Sequence, residues 1–155
     1  MKSAVIYISV IAALGGFLFG FDTAVISGTV ESIKSPEFGF GLTAGELGFA
    51  VASVLIGSAI GAWYAGIAAI KFGRVKVMLI ASVLFSLSAI GSAFAFNLWD
   101  FSFWRLVGGL GVGIAAVIAP AYIAEVSPAH LRGRLGSLQQ LAIAIGLLVS
   151  FISNY

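Results

Sequence analysis

Apolar residues do not alternate along this chain, nor do they follow one helical stripe. They run on for twenty residues and more, broken by short polar clusters. Runs of roughly 20 apolar residues are the length a helix needs to cross a bilayer. Five such runs are present: about 5–28, 44–70, 77–96, 101–123 and 135–155. Polar clusters separate them. Glu31 to Glu37 follows the first, Lys71 to Lys76 the second, and Asn97 to Asp100 forms a tight turn carrying an interfacial Trp99. Glu125 to Arg134 follows the fourth. The pattern predicts an all-α, polytopic bundle of five membrane-spanning helices, with no soluble domain or linker.

Composition agrees with this reading. Of the 155 residues, 61% are hydrophobic and 9% charged. Soluble domains carry about 25% charged residues. Eight basic and six acidic side chains are too few to cover a water-soluble fold of this size. Cysteine is absent, which excludes disulfides and thiolate chemistry.

The distribution of charge sets an orientation. Basic residues in short loops mark the cytoplasmic side. With the N-terminus inside, Lys2, Lys71, Arg74, Lys76, Arg132 and Arg134 face the cytoplasm, and Lys34 alone faces out. The expected location is a plasma or inner membrane, with the N-terminus cytoplasmic. A cleaved signal peptide would also begin with a basic residue and an apolar run. The first run, however, is long for a signal and holds Asp22 near its far end.

Three charges are costly. Asp22, Arg105 and Glu125 lie within or at the ends of apolar runs, where charged side chains usually face a bundle interior and serve function. Asp22 lies six residues before the outer end of its span, roughly 9 Å deep; Arg105 lies four residues inside its own, roughly 6 Å deep. The two opposite charges share a layer. They either pair and relieve each other's desolvation or snorkel separately to the interface; depth alone does not choose. Glu125 lies beside Arg132 and Arg134, and near Arg74 if the loops cluster. An ion-pair cluster there would serve as surface structure or as a latch on an inner gate.

Other features carry less. Gly57 with Gly61, and Gly109 with Gly113, are small-xxx-small pairs that let helices approach closely. Without a strand or βαβ unit around it, the glycine run at 108–113 is not a dinucleotide loop. Pro120 removes a backbone hydrogen bond within its helix. Gln140 is an amide in the fifth span, read from position as interhelical glue or as a hydrogen-bonding arm for a polar solute, with glue the simpler reading. No catalytic constellation, metal-ligand set or cofactor motif occurs, and the lone His130 lies in a loop. Arg132-Gly133-Arg134 reads as a cytoplasmic loop rather than a nucleic-acid patch.

Four segments carry a resemblance. They are Gly20-Phe21-Asp22-Thr23-Ala24-Val25-Ile26-Ser27-Gly28; Gly66 with Phe72-Gly73-Arg74; Arg105-Leu106-Val107-Gly108-Gly109; and Pro120 through Glu125 to Pro128, then Arg132-Gly133 and Ser137 to Gln140. In this order they resemble the sugar porter family of the major facilitator superfamily, over essentially the whole chain. The resemblance implies proton-coupled sugar transport by alternating access. It gives Asp22 the role of proton carrier and Arg105 that of its partner. Gln140, Phe19 and Ile143 would line the sugar cavity, which moves Gln140 from glue to ligand. Arg74, Glu125 and Arg132 would form the inner-gate network.

Two departures from the family stand out. Ile70 and Val75 occupy positions where it usually has an acid or amide and a second basic residue, so the latch is expected to be weaker. Relatives also have two six-helix halves built from three-helix inverted repeats. Five spans match an incomplete N-terminal half, leaving a C-terminal half or an oligomer partner to be supplied. The rival expectations are a truncated, non-transporting membrane fragment and a facilitator for another small solute.

Overall fold

The computed structural model describes residues 2–34 and 43–153, with backbone alone for 2–6, 27, 29–34, 44 and 47. Among these residues the only regular elements are helices. The chain folds as α1 (Lys2–Lys34), α2 (Ala44–Phe72), α3 (Arg74–Ala93), α4 (Leu98–Val126) and α5 (Arg132–Ser153). All five are long and apolar enough to cross a membrane.

Most helices outrun the apolar runs, and α2 and α4 start from polar caps, whereas α3 ends at Ala93, short of the expected 96. Glu31 to Lys34, expected in a loop, continue α1. Thr43 starts α2 through a capping box with Glu46. The Thr43 hydroxyl and backbone N–H both donate to the Glu46 carboxylate, at 2.7 and 2.9 Å, and hold its pKa below the usual range. The expected turn at Asn97–Asp100 is instead the start of α4. The Asn97 side chain accepts from the Asp100 N–H at 3.0 Å, and the Asp100 carboxylate accepts from the Phe96 N–H at 3.4 Å. An amide at the cap and an acid in the first turn both favour a helix start. The connection is therefore 94–97, and Trp99 sits on the first turn of α4. Gly73 alone separates α2 from α3, at φ 83°. Side chains with a Cβ rarely adopt that φ, and glycine does so freely. The last two residues expected in the fifth span, 154–155, lie outside the described residues.

α4 is the central helix and touches the other four. The closest seams are built from glycine. A Cβ on Gly57 or Gly61 would meet the carbonyl oxygens of Leu106 or Leu110, and one on Gly109 or Gly113 those of Val54 or Ser58. The same device joins α1 to α5, where Gly16, Gly20 and Gly146 lie against Gln139, Ile143 and Phe17. Without a hydrophobic drive between helices in lipid, such close backbone approach supplies the packing energy.

The seams also fix direction. Residue numbers rise together from 57 to 61 and from 106 to 110, so α2 and α4 run parallel; 16 and 20 against 139 and 143 make α1 and α5 parallel. Gly91 meets Trp104 while Gly111 meets Ala81, so α3 runs opposite to α4. Gly15 against Ala115, with Asp22 against Arg105, sets α1 opposite to α4. Successive helices therefore alternate in direction. The end where α1 starts is called the lower end below, and the end where it finishes the upper end.

Outward faces are apolar. Leu55, Ile56, Ile60, Trp63 and Ile67 of α2 are exposed, as are Leu79, Ile80, Val83, Leu87 and Ile90 of α3. In water this would be a large sticky surface; against lipid tails it carries no penalty.

Candidate functional site

Two ion pairs mark the two ends of the bundle. In the upper layer, Arg105 of α4 donates from Nη1 to Oδ1 of Asp22 on α1 at 2.7 Å, with the side chains 10% and 21% exposed. Pairing is the outcome that depth alone left open. A buried charge deprived of its partner is strongly destabilising, whereas a paired one is tolerated. Arg105 Nε and the hydroxyl of Ser102, three residues earlier on the same helix, are buried without a protein partner.

In the lower layer, Arg74 at the start of α3 grips Glu125 in the last turn of α4. Nη2–Oε1 is 2.7 Å and Nε–Oε2 3.3 Å. This two-pronged geometry matches a planar guanidinium to a carboxylate. Arg132 is exposed and makes no ion pair among the described residues. It is the first residue of α5, which follows α4 across the five-residue connection 127–131.

Between the layers, α1, α4 and α5 enclose a cavity of ≈ 270 Å³. Phe19, Gln140 and Ile143, spread over two helices, all border it. Gly15 and Gly16 of α1 leave room for it, and Pro120 of α4 forms part of the opposite wall. Phe19 is three residues from Asp22, or about 4.5 Å along α1. Gln139, which sequence reasoning passed over, also borders the cavity and is 7% exposed. The only sequence signal for it was its place beside Gln140.

A larger groove of ≈ 380 Å³ runs between α1, α3 and α4. Its walls are mainly Ile, Leu, Val, Met, Phe and Ala, with Ser82 and Tyr122 as the polar side chains. It suits hydrocarbon. A polar solute would lose its water there and gain almost no hydrogen bonds. The smaller cavity, with two amides, is the better candidate for a polar ligand.

Alternating spans with an ion pair held inside the apolar layer, beside a cavity edged by amides, define a multi-pass membrane protein of the transporter class. The sequence matches the family model described as Sugar (and other) transporter over residues 8–155, and the chain belongs to that family, the sugar porters of the major facilitator superfamily. It is 58% identical over 151 residues to a glucose transport protein of Synechocystis sp., covering 97% of this chain and 32% of the relative. It is 41% identical to the D-xylose-proton symporter of Escherichia coli, covering 99% of this chain and 36% of the relative. A solved proton:xylose symporter bound to 6-bromo-6-deoxy-D-glucose superposes with a TM-score of 0.88 at 41% identity, covering 100% of this chain and 38% of the other. The chain thus spans about a third of the length of the relatives it matches, and its helices form part of the major-facilitator fold.

Proposed function

We propose that this chain supplies N-terminal helices of a proton-coupled sugar importer working by alternating access. One observation carries the reading. The cavity bordered by Phe19, Gln140 and Ile143 lies on the same helix α1, and one turn away, from the Asp22–Arg105 pair. The names of the relatives, a glucose transport protein and a D-xylose-proton symporter, point the same way.

The proposed roles follow from the chemistry. The Gln140 amide offers a donor and an acceptor to sugar hydroxyls, and Phe19 and Ile143 present apolar faces to the C–H side of the ring. Asp22 carries the proton. When it is protonated its attraction for Arg105 falls, and the contact between α1 and α4 in the upper layer loosens. Sugar bound against α1 and α5 then favours the rearrangement that closes the upper side. Arg74 and Glu125 hold the lower side shut in the opposite phase, with Arg132 as an accessory cation rather than a paired one. The lower end is assigned to the cytoplasm of a plasma or inner membrane on the bias of basic residues toward that side. A six-helix second half, or another copy, completes the far wall of the cavity.

The test reconstitutes the complete reading frame that carries this chain into liposomes enclosing a pH-sensitive dye. Adding D-glucose or D-xylose outside is expected to acidify the lumen and to load sugar against its gradient when the outside is acidic. Sugar flux without proton movement would overturn the coupling; absence of flux with either sugar would overturn the substrate class.

A further inference from the structure

The side-chain amide oxygen of Gln139 has no hydrogen-bond partner among the described residues of the fold. The residue is 7% exposed, and that oxygen is fully buried. Buried polar atoms are almost always paired, because an unmet acceptor carries the full cost of leaving water. Glue between helices would show a partner on α1 or α4, and among the described residues there is none. The side chain is nonetheless held in place. Its Cγ and the backbone carbonyl of Gln139 lie so close to Gly16 of α1 that a Cβ there would come within 3.1 and 2.9 Å of them. What Gln139 does border is the cavity shared with Gln140. Neighbouring helix positions point about 100° apart, so the two amides reach the cavity differently. Gln140 is exposed at its edge, and Gln139 is sunk in the wall between α1 and α5.

Building on the sugar-transport reading, we propose that Gln139 is a second ligand-binding and specificity-determining residue. Its amide turns from the wall toward the cavity to receive a hydroxyl group of the bound sugar, pivoting on the Cγ that packs against Gly16. The unmet acceptor is then satisfied only when a polyol fills the cavity. A site with a buried group waiting for a particular hydroxyl discriminates strongly against the analogue that lacks it. Gln139 therefore sets which hydroxyl pattern is accepted, while Gln140 at the edge tolerates more variation.

The experiment compares the uptake KM of D-glucose with those of its 1-, 2-, 3- and 6-deoxy analogues, in vesicles carrying the complete reading frame. Wild type is expected to penalise one deoxy position by about tenfold in KM. In Gln139→Met, which keeps length and removes the amide, KM for D-glucose rises to that of the penalised analogue, and the ratio between them collapses to about unity. Gln139→Asn, which withdraws the amide by one carbon, weakens the same ratio. Maximal rate changes less than KM in both. An unchanged ratio in whichever variant reaches the membrane overturns the proposal, as does a wild type that treats every deoxy analogue like D-glucose. If wild type takes up no sugar at all, the transport reading itself fails and this assignment falls with it. Normal sugar uptake with a Gln139-independent profile sinks the assignment alone.

Discussion

Gly113 of α4 lies against the backbone carbonyl of Ser58 on α2 so closely that no Cβ fits between them. The seam repeats at Gly57, Gly61 and Gly109, and it holds the two parallel helices together. Gly48, by contrast, has open space around it. Gly113→Ala is expected to cost about 1–3 kcal/mol through overpacking. Gly48→Ala is expected to leave stability unchanged or slightly raised, since Ala favours helix. Thermal unfolding of the two purified variants in detergent checks this, and equal stability of the two would refute the seam as a source of packing energy.

The Arg74–Glu125 pair is half-exposed, at 33% and 49% of the side chains. Exposed pairs contribute little to stability, about 0.2–1 kcal/mol. Glu125→Gln should therefore leave folding almost intact while disturbing the balance between inward- and outward-facing forms. The swap Arg74→Glu with Glu125→Arg should recover transport relative to either single change, as a double-mutant cycle measures. Salt should weaken the coupling. A swap no better than the singles would remove the latch role.

Topology gives a third expectation. The helices alternate in direction, and six of the seven basic residues near helix ends fall on one side. A reporter active only outside the cytoplasm, fused after Tyr155, should be active, and the same reporter placed near Lys76 should be silent. The reverse pattern would invert the membrane orientation.

Much of this architecture was legible in the residues. Five apolar runs announced five helices, and small-xxx-small pairs at 57 and 61 and at 109 and 113 marked a seam that the fold does use. Helix ends were not legible from hydropathy, because capping residues are polar. Asn97 and Asp100 look like a turn and in fact start α4. Depth placed Asp22 and Arg105 in one layer, but only the packing of α1 across α4 decides that they touch. Arg132 was placed among the inner charges by nearness in sequence and by resemblance, and the ion pair formed there among the described residues joins Arg74 to Glu125. Gln139 was hidden for a different reason. Two successive amides look alike in sequence, and only the contact with Gly16 shows which one is buried.

The central claim is that Asp22 carries the proton that drives sugar uptake. The most direct measurement compares wild type with Asp22→Asn in vesicles carrying the complete reading frame. It reads both accumulation of labelled sugar under an acid-outside gradient and exchange of sugar at equal pH. Asn keeps the size of the side chain and an acceptor for Arg105, but it cannot take up or release a proton. The account predicts that Asp22→Asn loses accumulation, sugar reaching only equality across the membrane, while exchange persists. Undiminished accumulation driven by the pH gradient in Asp22→Asn would contradict it.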